Sequence, residues 1–136
     1  MTADEVIAAL GLEAHPEGGF YRQTFRSGGE GRGAATLIHF LLRDGGASHW
    51  HRVDADELWL WHAGAPLVLS VAATEAGPAR DVTLGTGLSF QGIVPAGQWQ
   101  AARTTGDWSL VSCAVAPGFV FEGFELAPPG FDIPKG

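Results

Sequence analysis

The sequence predicts an all-β barrel or sandwich opened by one short helix. Three observations carry this expectation. Twenty glycines and 8 prolines cut the 136-residue chain into short apolar runs. Several runs alternate with period two, as half-buried strands do. The only helix punctuation lies in the first eleven residues. A chain of this length favours one domain, residues 1–136, which buries roughly two-thirds of its unfolded surface.

The elements follow in order. Thr2 with Glu5 three residues later is a capping-box pattern; Val6, Ile7 and Leu10 form one apolar stripe, and Gly11 suits the helix end. In HPEGGFYRQTF a turn at Gly18 and Gly19 leads into an edge strand. Candidate strands then cover 36–42, 57–61, 66–73, 80–84, 90–94, 98–102 and 109–115. Leu67, Leu69 and Val71 share one face of their strand, as do Val111, Cys113 and Val115. The segment RTTGD (103–107) has the residues of a hairpin turn between two antiparallel strands. The closing APPGFDIPKG is too rich in Pro and Gly for regular structure and is expected to wrap the surface.

Composition narrows the function. Hydrophobic residues make up 46% and charged residues 17%, with no apolar run long enough to cross a bilayer. The start, MTADEVIAALGLE, carries acids where a secretory leader carries basic residues, so a soluble cytoplasmic protein is expected, with no membrane partner. The net charge of −7 repels phosphate backbones, and no basic patch offsets it; a small molecule is the expected partner and nucleic acid is not. Cys113 is the only cysteine, which excludes an internal disulfide and reads as a small buried hydrophobe.

The stretch SHWHRVDADELWLWHAG (48–64) concentrates the chemistry. Strict alternation puts His49 and His51 on one face, and Glu57, Trp59 and Trp61 on one face of the next strand, with Leu58, Leu60 and His62 opposite. Two histidines and a carboxylate are a ligand set for Fe, and also serve Mn, Ni or Zn. Glu57 has a second reading, as the carboxylate that orients His51 as a base. Asp54 and Asp56 read as solvated turn residues. His15, His39 and His62 read first as hydrogen-bonded core histidines, although strand parity allows His39 to face the barrel.

The turn GGASHWH followed by Glu57, six residues and Gly64 resembles the first motif of the cupin superfamily. Pro95-Ala-Gly97-Gln-Trp-Gln100 resembles its second motif, with Gln100 where a metal-binding histidine is usual, and five rather than four residues separate His51 from Glu57. HPEGGFYRQTFRS (15–27), VPAGQWQAA and VAPGFVFEGFEL extend the likeness to the cupin-five family, a cupin domain of unknown function, over nearly the whole chain. This resemblance implies a double-stranded β-helix, that is a jelly-roll barrel, with a pocket in the barrel mouth, and commonly a homodimer. An edge strand near the N-terminus offers one way to pair. Among better-known relatives the shape is similar to metal-free sugar epimerases that use a histidine base.

These readings combine into one expectation: a polar, carbohydrate-like ligand in the barrel, with His51 and Glu57 as an acid/base pair for epimerisation or isomerisation and Tyr21 as an opposing proton donor. Glu17, Thr24, His39, Ser48, Trp59, Gln91 and Gln100 are the candidate ligand-binding residues. No resident cofactor is expected. The alternatives are a metal-dependent enzyme holding Fe, Mn, Ni or Zn through His49, His51, Glu57 and Gln100, and a ligand-binding module without turnover.

Overall fold

A computed structural model describes residues 1–136 as two antiparallel β-sheets packed face to face behind a short helix. Helix α1 (Ala3–Leu10) starts as its sequence requires. The Thr2 hydroxyl accepts the Glu5 N–H at 3.2 Å, and the Glu5 carboxylate accepts the Thr2 N–H at 2.9 Å. Gly11 ends the helix in the left-handed region at φ 64. Ala3 and Val6 pack with Leu12 against Leu41, so the helix covers one end of the outer face of the first sheet.

Eleven strands follow: β1 (Glu13–Ala14), β2 (Phe20–Arg26), β3 (Thr36–Arg43), β4 (Ala47–Val53), β5 (Asp56–Gly64), β6 (Leu67–Ala72), β7 (Arg80–Leu84), β8 (Gln91–Val94), β9 (Trp99–Thr104), β10 (Trp108–Ala116) and β11 (Phe124–Leu126). The first sheet has the order β1-β2-β3-β10-β5-β8 and the second β11-β4-β9-β6-β7. Between them lies the main core of Phe40, Leu42, Trp59, Leu67, Leu69, Leu84 and Val111. It is supplied by every second residue of the inner strands, as the pleat demands. All seven expected strands are present and the extended histidine segment forms β4; β1 and β11 were not expected, because they are only two and three residues long.

One connection differs from expectation. Residues 103–107 do not close a hairpin: β9 pairs with β4 and β6 in the second sheet, while β10 pairs with β3 and β5 in the first. The turn residues carry the chain across the barrel instead. The C-terminal tail does wrap the surface. Ala127, Phe131 and Ile133 cover Trp50, Ala72 and Trp99 on the outer face of the second sheet, and the Trp50 indole donates to Asp132 at 2.9 Å. No helix is long and apolar enough to cross a membrane.

Candidate active site

Between the sheets, at the end where the 15–19 turn folds over the barrel, a cavity of about 270 Å³ opens. His51 from β4, Glu57 from β5, Tyr21 from β2, and His15 and Glu17 from the turn line it. Phe119, Phe121, Ile38 and Val115 supply apolar wall. Two glycines allow the turn to lie this close. A Cβ on Gly18 would collide with the Ala47 carbonyl oxygen, and one on Gly19 would come within 2.8 Å of the Leu41 carbonyl oxygen; their φ values are 104 and 80. The turn is pinned by the His49 N–H, which donates to the Glu17 carbonyl at 2.7 Å. The Glu17 side chain is thereby driven inward, where the Ser48 hydroxyl donates to its Oε2.

His51 is 1% exposed, and its Nδ1 lies 2.7 Å from the His49 carbonyl oxygen. A carbonyl can only accept, so Nδ1 carries the proton and Nε2 is bare. That bare nitrogen lies 3.5 Å from Glu17 Oε2. In His15 the roles are reversed: Nδ1 accepts the Glu17 N–H at 3.1 Å and lies 3.4 Å from Glu17 Oε1. Its ring stands edge-on to Tyr21, with centroids 4.5 Å apart.

Glu57 sits across the barrel from Gln100, whose Nε2 donates to Glu57 Oε1 at 2.9 Å. The Trp59 indole N–H donates to Gln100 Oε1 at 2.8 Å. An indole N–H can only donate, which fixes the amide orientation and leaves its NH₂ to face the carboxyl. Cys113 is buried in the core, as its sequence context predicts.

Burial sets the protonation of this group. It pushes the Glu17 carboxyl up to about 8 against the opposing pull of Ser48. It pushes Glu57 up to about 7, with His51 pulling the other way. It lowers His15 to about 4, helped by His51, and holds His51 below the usual imidazole range although Glu57 opposes this. At neutral pH the pocket therefore holds a neutral imidazole with a bare nitrogen beside a protonated carboxylic acid.

Several candidates from the sequence meet here: His51, Glu57, Tyr21 and Glu17 line the cavity, while Ser48, Trp59 and Gln100 hold the lining carboxyls or their partners. Four candidates do not. His49 is turned away because the pairing of β4 with β9 slips by one residue between Ser48 and His51. This bulge makes Ser48 and His51, rather than His49 and His51, the inward pair, and the His49 Nε2 lies 3.0 Å from the Pro128 carbonyl oxygen. His39 points outward between Ile38 and Phe40, which pack inward, and its ring faces His62 at 6.4 Å. A second bulge, between Gln23 and Phe25, leaves Thr24 exposed with its hydroxyl on the Leu37 carbonyl at 3.3 Å. Gln91 is exposed on the edge strand β8. His15 is buried and hydrogen-bonded as expected, and it also lines the pocket; its place two residues before Glu17 in the glycine turn was the available signal.

The metal set of His49, His51, Glu57 and Gln100 is not assembled. His49 lies elsewhere, the Gln100 oxygen is turned to the Trp59 indole while its NH₂ faces Glu57, and no group of three His, Cys, Asp or Glu side chains meets metal-binding geometry. The residues present do not fit a divalent ion.

Comparison with known proteins agrees with this architecture. The family described as "Cupin superfamily (DUF985)" matches residues 4–127. A protein from Shewanella oneidensis, known from its crystal structure, is 41% identical with a TM-score of 0.86, over 93% of this chain and 85% of that one. A hypothetical protein from Leishmania major is 32% identical with a TM-score of 0.85, over 96% of this chain and 90% of that one. Oxalate decarboxylase from Bacillus subtilis shares the fold alone, at 12% identity and a TM-score of 0.66, over 83% of this chain and 29% of that one. No curated protein matches the chain. With a glycine turn, a histidine strand and a carboxylate strand in cupin order and a family match over almost its full length, the chain belongs to the cupin superfamily, in the family DUF985.

Proposed function

We propose that the barrel mouth binds a small polar, carbohydrate-like molecule and moves a proton on it, as an epimerase or isomerase does, with His51 as base and Glu17 as acid. The observation that carries this reading is the bare Nε2 of His51 set 3.5 Å from a carboxyl whose pKa is raised to about 8. A neutral base and a protonated acid side by side near pH 7 are what proton transfer next to a carbonyl requires.

The roles follow from the contacts. His51 Nε2 takes a proton from a carbon beside a carbonyl group, and the Glu17 carboxyl gives one to the carbonyl oxygen as it gains negative charge. For epimerisation the proton must return to the opposite face of that carbon, the part given to Tyr21 in the lining, while Glu17 recovers its proton from the enol oxygen and His51 passes its own to solvent as Tyr21 is reprotonated. The His49 carbonyl holds His51 in the tautomer that leaves Nε2 free. Glu57 acts at a distance: its charge favours the imidazolium that forms when His51 accepts a proton. This assignment moves the acid from Glu57 to Glu17, which lies nearer the bare nitrogen.

The lining supports the ligand class. Tyr21, Arg22, Gln23 and Thr36 offer polar groups, and Phe119 and Phe121 offer flat apolar surface, a mixture suited to a sugar's hydroxyl edges and C–H faces. A volume near 270 Å³ is just below the usual range for ligand sites, about 300–1,000 Å³, and suits a molecule no larger than a monosaccharide.

The test uses a panel of aldoses, ketoses and their phosphates in D₂O, followed by proton NMR. Wild-type protein is expected to exchange the C–H beside the carbonyl of at least one member, and His51→Asn to slow that exchange by about 100-fold or more. Exchange at equal rates in both proteins would remove His51 from the chemistry. Binding without exchange would identify a ligand-binding module.

A further inference from the structure

The cavity at the barrel mouth has a one-sided charge pattern that the proton transfer does not use. Three carboxyls line it, those of Glu13, Glu17 and Glu57, against a single cationic side chain, that of Arg22. Arg22 does not balance them. Its register partner on β3 is His39, which points outward, whereas Glu13 pairs with Tyr21 on the side that faces the cavity. The guanidinium folds over the end of α1, with Nη1 2.9 Å from where a Cβ on Gly11 would stand. The ion pairs of the fold use Arg32, Arg43, Arg52 and Lys135, and Glu13 has no share in them.

Glu13 shares the cavity wall with an open aromatic ring. Phe121, on the turn after β10, is 51% exposed, and Phe119 stands edge-on to it with centroids 5.0 Å apart. A carboxylate and the face of an aromatic ring both attract an ammonium group, the first by its charge and the second by its quadrupole. An anion would meet the opposite: carboxyls on three elements and no cation turned toward it. The inner end of the cavity is open to a ligand as well. The bare Nε2 of His51, a residue 1% exposed, lies 3.5 Å from Glu17 Oε2, beyond ordinary hydrogen-bond length.

Resting on the reading of this cavity as a carbohydrate site, we propose that the bound molecule carries a protonated amine, held between the Glu13 carboxylate and the Phe121 ring. Its class is then the amino sugar rather than the sugar phosphate or sugar acid. The division of labour follows from burial. Glu17 and Glu57 lie inside, where burial favours their neutral forms and leaves them to the reaction. Glu13 is exposed on the two-residue strand β1, at the rim where the charge of an entering ligand is first met. Selection by charge at the rim and proton transfer in the interior therefore use different carboxyls.

Isothermal calorimetry of the full chain at pH 6.5 compares glucosamine, galactosamine and mannosamine with their parent hexoses and with the hexose 6-phosphates, with circular dichroism as the check on folding. At least one aminohexose is expected to bind at least about 10-fold more tightly than its parent, and the phosphates more weakly than the parents. Glu13→Gln is expected to bring that ratio near one. Phe121→Leu, which keeps an apolar wall without a ring face, is expected to lower it about 3-fold. Glu75→Gln, the same charge change in the connection between β6 and β7 and outside the lining, is expected to keep it. No aminohexose preference, a preference that survives a folded Glu13→Gln, tighter binding of a phosphate, or no binding of any of these sugars would each overturn the proposal. Proton exchange in D₂O on the same sugars is scored separately. Exchange without an amine preference defeats the amine alone, while an amine preference lost in Glu13→Gln without exchange supports the amine and defeats the proton transfer.

Discussion

Replacing Glu17 by Gln tests whether burial keeps that carboxyl protonated. The Gln side chain has nearly the same shape, its oxygen can accept from Ser48, and it does not titrate. In the wild type, Glu17 and Glu57 have native pKa values of about 8 and about 7 against an ordinary 4.5, so above pH 4.5 the folded state binds more protons than the unfolded state. Their contribution is full below 4.5 and is lost as pH rises through the native values. His15, lowered to about 4, has the opposite sign: its cost at low pH disappears between about 4 and 6.5. His51 shifts in the same direction as His15. The imidazoles therefore offset part of the carboxyls' loss up to pH 6.5, and above it only the carboxyls remain. At 1.36 kcal/mol per pH unit, Glu17 alone removes about 2 kcal/mol between pH 6.5 and 8. Urea unfolding at half-unit intervals from pH 5 to 8.5 gives the profile. Wild-type stability is expected to fall more steeply above pH 6.5 than below it, while Glu17→Gln loses about 2 kcal/mol of the fall above pH 6.5. Parallel curves above pH 6.5 would mean that Glu17 is ionised in the native protein, and the assignment of an acid beside His51 would fail.

Two further outcomes follow from the Trp59–Gln100–Glu57 chain. Gln100→Leu strands the Trp59 N–H and one oxygen of Glu57 in the core, and is expected to cost about 1–3 kcal/mol for each group in chemical denaturation; a neutral result would mean the chain does not hold the two sheets. Gln100→His is expected to bring no stoichiometric Fe, Mn, Ni or Zn in elemental analysis, because His49 stays at the Pro128 carbonyl on the other side of a bulge. Full occupancy in that variant would show that His49 can turn inward.

The sequence carried the barrel, the capped helix and the inward set of Glu57, Trp59 and Trp61, since each rests on local punctuation or on strict alternation. Alternation failed where a bulge intervened. The extra residue after Ser48 reversed His49, and another after Gln23 displaced Thr24; a bulge leaves no mark in composition. His39 was ambiguous for a different reason. In TLIHFLL both faces are apolar, because Leu41 lies under the helix and Leu37 stands on the outer face beside Phe25, so the pattern gives no inward side. The pairing of His51 with Glu17 depends on a turn folding back across the barrel over more than thirty residues of sequence. Gly18 and Gly19 signalled a turn but not where it would land.

The most direct measurement is an NMR titration of the protein with ¹⁵N-labelled histidine and ¹³C-labelled glutamate carboxyls, with His51→Asn and Glu17→Gln used to assign the signals. The account predicts that His51 is neutral at pH 7 with the proton on Nδ1, and that the Glu17 carboxyl titrates near 8. An imidazolium at His51 at pH 7, or a Glu17 carboxyl titrating near 4.5, would contradict the claim that the pocket holds a base and an acid ready to exchange protons with a ligand.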